Sequence, residues 1–225
     1  MHTPLSLPKA CVFDAYGTLF DYASAAARSG AELGGRREPL VRLWREKQLQ
    51  YSWLRSLEGE HADFWQVTGD ALDFALASLG IDDGPLRGSL MDSYLTLDAF
   101  PEARGVLERV RESGIRTAIL SNGSPGMLRS AVSNARFEPL LDAVLSVEEV
   151  GVYKPHPKVY QLAVDRLEVD SREILFVSSN AWDAWGASAF GMRVVWCNRY
   201  DQQAERLPGR PEREVRSLSE LVFHT

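Results

Sequence analysis

The stretch Ala10-Cys11-Val12-Phe13-Asp14-Ala15-Tyr16-Gly17-Thr18-Leu19-Phe20 decides the fold. Its apolar start has the length and composition of a buried strand, and Gly17 marks a tight turn just after it. Asp14 therefore sits where the strand gives way to the turn. Ligands of open parallel α/β sheets bind outside the carboxyl ends of the strands. A carboxylate delivered to that edge can act as a nucleophile. The residue two places on is Tyr16, not a second acid.

Outward from this strand, four more short apolar segments read as buried parallel strands: Arg116 to Leu120, Ala143 to Ser146, Ile174 to Val177 and Arg193 to Trp196. Helical patterns lie between them, at Glu102 to Ser113, Met127 to Ala135 and Lys158 to Leu167. Alternating strand and helix predicts an α/β fold with a Rossmann-like parallel sheet covered on both faces. The first interval breaks the rhythm. About a hundred residues separate the first two strands, far more than a crossover needs. The stretch from about Asp21 to Asp98 has no convincing strand. Its patterns are helical, at Arg36 to Leu57, His61 to Leu79 and Leu86 to Leu95, with breaks at Gly34-Gly35, Gly59 and Gly80 to Gly84. The expected organisation is a catalytic core of residues 1–20 and 98–225 with a helical cap, 21–97, inserted after the first strand. Asp98-Ala99-Phe100-Pro101 would be the return linker, and the cap would roof Asp14 and exclude water.

Composition narrows the partners. The 225 residues are 45% hydrophobic and 25% charged, as in an ordinary globular protein. A net charge of -6 gives no support to a nucleic-acid or anionic-membrane partner. No apolar run is long enough to span a bilayer. Met1-His2-Thr3-Pro4 lacks the regions of a signal peptide, so a cytoplasmic enzyme is expected, and the glycosylation-like Asn122-Gly123-Ser124 is discounted. Cys11 and Cys197 each lie in an apolar run and read as buried thiols of a reducing compartment. His2, His61, His156 and His224 show neither metal-ligand spacing nor a triad.

Four strand-end loops carry the polar chemistry: Asp14 to Thr18, Leu120-Ser121-Asn122-Gly123-Ser124-Pro125, Val152-Tyr153-Lys154-Pro155, and Val177-Ser178-Ser179-Asn180-Ala181-Trp182-Asp183. Neighbouring parallel strands bring such loops to one edge. A carboxylate, a hydroxyl, an ammonium and a second carboxylate would share a pocket. Each residue also has a plainer reading. Asp14 could be a turn residue. Ser121, Asn122, Ser178 and Asn180 could cap helices, and Asp183 could be a first-turn carboxylate. Lys154 could be a solvated surface lysine. Arg45 could stack on Trp44 and Trp53, and Phe64 could be core.

In their order, these motifs resemble the haloacid dehalogenase superfamily. Most members are Mg²⁺-dependent phosphatases with Asp-x-Asp on the first loop and acidic ligands on the fourth. Here those positions read Asp14-Ala15-Tyr16 and Ser178-Ser179-Asn180-Ala181-Trp182-Asp183. Losing an acid weakens a hard-cation site and leaves an alkoxide unprotonated. The chain is similar instead to the L-2-haloacid dehalogenase branch over essentially its whole length, through Phe13-Asp14-Ala15-Tyr16-Gly17-Thr18-Leu19-Phe20-Asp21, Leu43-Trp44-Arg45-Glu46-Lys47-Gln48-Leu49, Ser121-Asn122-Gly123-Ser124-Pro125 and the fourth loop. Glu46 departs from the neutral glutamine expected there, at the pocket rim.

The resemblance implies a hydrolase acting on carbon–halide bonds. It would convert short (S)-2-haloalkanoic acids to (R)-2-hydroxy acids with inversion at C2, through an ester on Asp14. The implied catalytic set is Asp14, Thr18, Arg45, Ser121, Lys154, Ser178, Asn180 and Asp183. Halide would leave toward Arg45 and Asn122. Ser121 and the backbone N–H groups of Ala15 and Tyr16 would hold the substrate carboxylate. Tyr16, Leu49, Phe64 and Trp182 would wall its side chain. No cofactor and no metal are expected, and the family suggests a homodimer. A Mg²⁺-dependent phosphatase of the same fold, or a non-catalytic module binding small carboxylates, are the competing expectations.

Overall fold

The computed structural model describes residues 5–27 and 30–223. Met1-His2-Thr3-Pro4 and His224 lie outside the described residues. Strand β1 (Ala10–Phe13) is the buried run anticipated above, with every residue inaccessible. It leads to β2 (Phe20–Asp21), the short helices α1 (Ser24–Ala27) and α2 (Gly30–Leu33), and the long helices α3 (Arg37–Glu58), α4 (Phe64–Ser78) and α5 (Gly84–Tyr94). The chain returns through β3 (Asp98–Ala99). It then alternates: α6 (Ala103–Glu112), β4 (Arg116–Ser121), α7 (Pro125–Ala135), β5 (Ala143–Ser146), α8 (Pro157–Leu167), β6 (Ile174–Ser178), α9 (Ala181–Phe190), β7 (Arg193–Cys197) and β8 (Arg213–Val215).

The main sheet has six strands in the order β5-β4-β1-β6-β7-β8, all parallel. β1 lies between β4 and β6, so the strand reversal point falls beside Asp14, where such sheets place ligands. The expected sheet gains a sixth strand, β8, whose Arg213-Glu214-Val215 carries little apolar signal. The expectation of no strand between Asp21 and Asp98 is corrected at its ends. Phe20 pairs with Ala99 and Asp21 with Asp98 in an antiparallel ribbon. That ribbon ties both ends of the helical insertion together.

Local chemistry sets the helix ends. Asp63 and Asp83 accept the backbone N–H of Gln66 and Leu86, which starts α4 and α5 later or earlier than hydrophobic periodicity alone suggested. Ser124 caps α7 and Pro125 takes its first position. Helix α3 ends at Gly59, whose φ of 73° is left-handed and favours glycine. It buries Leu40, Trp44, Gln48 and Ser52, a stripe of i, i+4 spacing facing α4. Both cysteines are buried and unpaired thiols, and desolvation raises their pKa values. Among the described residues, no helix is long and apolar enough to cross a membrane.

Candidate active site

The turn after β1 is built to hold one carboxylate still. Asp14 N–H donates to Val177 O at 2.9 Å, which continues the β1–β6 pairing. Gly17 then takes φ 89°, so the chain reverses without a Cβ penalty. Thr18 Oγ accepts from Ser179 N at 2.8 Å, so its own proton is directed to Asp14 Oδ2 at 3.1 Å. Asn180 Nδ2 donates to the same Oδ2 at 2.8 Å and to Tyr16 O at 3.1 Å. Lys154 Nζ donates to Oδ1 at 3.0 Å. The carboxylate of Asp14 thus has three side-chain donors at 5% residual exposure.

Lys154 joins two carboxylates. Its ammonium, fully buried, also meets Asp183 Oδ2 at 2.9 Å. Burial by itself would lower the lysine pKa, but the charges of Asp14 and Asp183 overcome it and the net shift is upward. Burial pushes the Asp183 pKa up; Lys154 opposes that shift, while the Asp14 charge adds to it. Asp183 sits in the first turn of α9, but its carboxylate is spent on Lys154 and on Tyr160, whose hydroxyl donates to Oδ1 at 2.8 Å. Tyr160 lies on α8 and was not among the residues anticipated from sequence. Gly186 permits its approach, since a Cβ there would stand 2.7 Å from the Tyr160 hydroxyl.

The other anticipated residues fall around this centre. Ser121 is buried and its Oγ accepts from Gly123 N at 3.1 Å. The cap of α7 is Ser124, so neither Ser121 nor Asn122 has that role. Asn122 Oδ1 accepts from Lys154 N at 3.0 Å and so fixes the lysine loop. Asn180 stands at the N-cap of α9 without making a side-chain cap bond, and Ser178 Oγ accepts from Asn180 N at 3.1 Å. The Tyr16 ring contacts the rings of Phe64 and Tyr94, at centroid separations of 6.0 and 5.6 Å. A Cβ on Gly123 would strike it at 2.7 Å, so glycine is what lets the second loop close on Tyr16. Trp182 meets Trp53 edge-on at 5.4 Å, which joins the start of α9 to α3. Leu49 is half-buried on α3 and Ala15 is buried after Asp14.

Arg45 reaches in from the helical insertion. Its Nη2 donates to Asn180 Oδ1 at 3.2 Å and its Nη1 to Gln48 Oε1 at 2.7 Å. Its guanidinium lies 5.0 Å from the centroid of Tyr22, the aromatic partner that Trp44 and Trp53 were candidates to be. Trp44 instead donates its indole N–H to Thr68 O. A groove of about 600 Å³, lined in part by Asp21, Tyr22, Arg37, Val41 and Arg42, opens onto Arg45.

A divalent cation does not fit this donor set. Asp14 and Asp183 share the ammonium of Lys154, which occupies the place between them, and Tyr16 offers no acid. Among the described residues, no three His, Cys, Asp or Glu side chains cluster as metal ligands do.

A carboxylate fixed by an ammonium at a parallel sheet edge, beneath inserted helices, is the kind of centre found in aspartate-dependent α/β hydrolases. Residues 8–191 match the haloacid dehalogenase-like hydrolase family. The chain is 48% identical to (S)-2-haloacid dehalogenase 1 of Pseudomonas sp. (strain CBS-3), over 95% of this chain and 94% of that protein. It is 46% identical to (S)-2-haloacid dehalogenase 4A of Burkholderia cepacia, over 95% and 93%. A solved L-2-haloacid dehalogenase of Xanthobacter autotrophicus with chloropropionic acid covalently bound superposes with a TM-score of 0.89 at 38% identity, covering 96% of this chain and 97% of that one. The chain belongs to the haloacid dehalogenase-like hydrolase family, in its (S)-2-haloacid dehalogenase branch.

Proposed function

We propose that this protein hydrolyses the carbon–halogen bond of short (S)-2-haloalkanoic acids, with Asp14 as the nucleophile. The observation that carries the reading is the Asp14 carboxylate itself. It is held by Lys154, Thr18 and Asn180, with Tyr16 where a phosphatase needs an acid. The Lys154 ammonium, 3.0 Å from Asp14, balances the negative charge when a second anion binds beside it. Ser121 and the N–H groups of Ala15 and Tyr16 receive the substrate carboxylate. Ser121 accepts its loop bond, so its own proton can turn toward substrate.

Asp14 attacks C2 from the side opposite the halogen, the C–X bond breaks with its electron pair on the halide, and C2 inverts. A halide needs no proton as it departs, only donors that meet its charge. Arg45 and Asn122 supply them; Asn180, which accepts from Arg45 at 3.2 Å, spends its own amide protons on Asp14 and Tyr16 O. The ester on Asp14 is then hydrolysed. Water attacks the aspartyl carbonyl carbon and its proton passes to Asp183. The bond from that carbon to the ester oxygen then breaks, Asp183 returns the proton to the departing alkoxide, and the (R)-2-hydroxy acid leaves with the oxygen that Asp14 first donated. Burial makes Asp183 a stronger base than an exposed aspartate. Ser178, Asn180 and Lys154 position that water, and Tyr160 holds Asp183.

In this reading residues 21–97 act as a cap over a core of 1–20 and 98–225. Tyr16, Leu49, Phe64 and Trp182 wall the substrate side chain. The working form is a cytoplasmic homodimer, for which exposed Leu54 and Leu57 on α3 offer apolar surface. The direct test is halide release from (S)- and (R)-2-chloropropionate in excess chelator. Release from the (S) enantiomer alone, undiminished by chelator, is the expected result. Comparable rates on both, or an activity restored only by Mg²⁺, overturns the reading.

A further inference from the structure

The halide-facing arginine is not aimed by the catalytic loops alone. Gln48 is 1% exposed, in the middle of the buried stripe of α3. Its carboxamide has one orientation that satisfies every neighbour. Thr68 Oγ donates its only proton to Phe64 O at 2.6 Å, so toward Gln48 it can only accept. The Gln48 amide nitrogen must therefore face Thr68, which it does at 2.8 Å. Its oxygen is thereby turned to Arg45, where Nη1 donates to it at 2.7 Å. The Tyr94 hydroxyl, also buried, lies within 3.3 Å of the amide oxygen and 3.2 Å of the nitrogen and blocks rotation from the other side.

The second arm of the same guanidinium goes to Asn180 Oδ1, and Asn180 passes its Nδ2 protons to Asp14 and Tyr16 O. A continuous directional chain therefore runs from the backbone of α4 through Thr68, Gln48, Arg45 and Asn180 to Asp14. A planar guanidinium gripped at two nitrogens is preorganised.

We propose that Gln48 is a positioning residue for dehalogenation. It holds the Arg45 guanidinium, through an amide oriented by Thr68, where charge develops on the departing halide. This rests on the dehalogenase reading above and extends it into the insertion. Gln48 does not touch substrate, so its effect has to pass through Arg45. A fixed donor matters most when the leaving group is poor, so chloride departure should need it more than bromide departure.

The experiment is a cycle of Gln48→Met and Arg45→Lys, assayed by halide release from (S)-2-chloropropionate and (S)-2-bromopropionate. Methionine keeps the volume and removes the acceptor. Lysine keeps the charge but cannot bridge Gln48 and Asn180 at once. With Arg45 present, Gln48→Met should lower kcat on the chloro acid about 10- to 100-fold, within the range of one removed charge-stabilising contact. It should lower kcat on the bromo acid several-fold less, with KM little changed. In the Arg45→Lys background, the same substitution should cost no more than about twofold, the residual expected once the coupling is gone. Thr68→Val, which keeps the shape and removes the orienting hydroxyl, should repeat the chloride-selective loss in weaker form. It serves as the test if Gln48→Met does not fold. Equal losses with and without the Arg45→Lys substitution, or equal losses on both halides, would make Gln48 a structural residue and overturn the proposal. Wild-type protein that releases neither halide would instead overturn the dehalogenase reading.

Discussion

Replacing Asp183 with asparagine should separate the two halves of the reaction. The substitution keeps the side-chain shape and removes one charge from a buried centre of two carboxylates and one ammonium. At 2.9 to 3.0 Å and an effective dielectric of about 20, each contact of Lys154 with a carboxylate has roughly 5–6 kcal/mol of gross attraction, set against the desolvation of both groups. Asp183→Asn gives up one such contact and keeps the other, so Lys154 stays paired with Asp14. Thr18 and Asn180 still hold Asp14, and ester formation should proceed. Ester hydrolysis loses its base. General-base removal typically costs about 10²- to 10⁴-fold, or roughly 3–5 kcal/mol of barrier. Mixing the variant with (S)-2-chloropropionate should release about one halide per site and then stall. Mass spectrometry should find the substrate residue attached to the Asp14 peptide. Halide release that stops with no adduct would place Asp183 in the first step or in the fold, and would refute its assignment to the second.

Three further outcomes follow from the same geometry. A single turnover in heavy-oxygen water should leave label on the Asp14 carboxylate and none in the product, whereas label in the hydroxy acid would mean that water attacks C2 directly. The hydrolysis rate needs ionised Asp183, so it should fall as pH drops through a value above the ordinary aspartate range, because burial raises that group; an inflection at the ordinary aspartate value would contradict the stated cause. Tyr160→Phe removes the 2.8 Å bond to Asp183 and should slow ester hydrolysis about tenfold or more while sparing the halide burst; equal slowing of both steps would count against a role confined to Asp183.

The five strands β1, β4, β5, β6 and β7 were legible because each is a short apolar run, and Phe13-Asp14 shows how such a run delivers a carboxylate to the sheet edge. β8 was not, because Arg213 and Glu214 at a sheet edge are half-buried or exposed and carry no hydrophobic pattern. Helix starts were misjudged where a cap, not periodicity, decides them, as at Asp63 before Phe64. The loop residues Asp14, Lys154, Asn180 and Asp183 could be gathered from strand order alone. The bond of Asn122 to the Lys154 backbone was not legible, since it depends on the path of two loops. Tyr160 was hidden because a tyrosine in an amphipathic helix reads as core, and its hydroxyl partner lies on another element. Gln48 left a signal that periodicity can reveal: a polar residue four places from Trp44 and from Ser52, on the stripe that α3 buries.

The ribbon of Phe20–Asp21 against Asp98–Ala99 has a consequence for how this architecture can change. The chain leaves the sheet and rejoins it at paired residues, roughly 5 Å apart as antiparallel partners are. Everything between them can lengthen, shorten or be exchanged without shifting the register of β1 against β4 and β6. Asp14 stays at the sheet edge, whereas the loop of Lys154 also leans on the insertion, where Tyr153 N donates to Ser56 Oγ at 3.0 Å. Arg45, Leu49 and Phe64 travel together as a cassette. In the proposed mechanism the insertion carries the arginine that meets the leaving group, and the core carries the attacking carboxylate. Transplanting residues between the two ribbon strands is the natural route to a new leaving group on an unchanged aspartate.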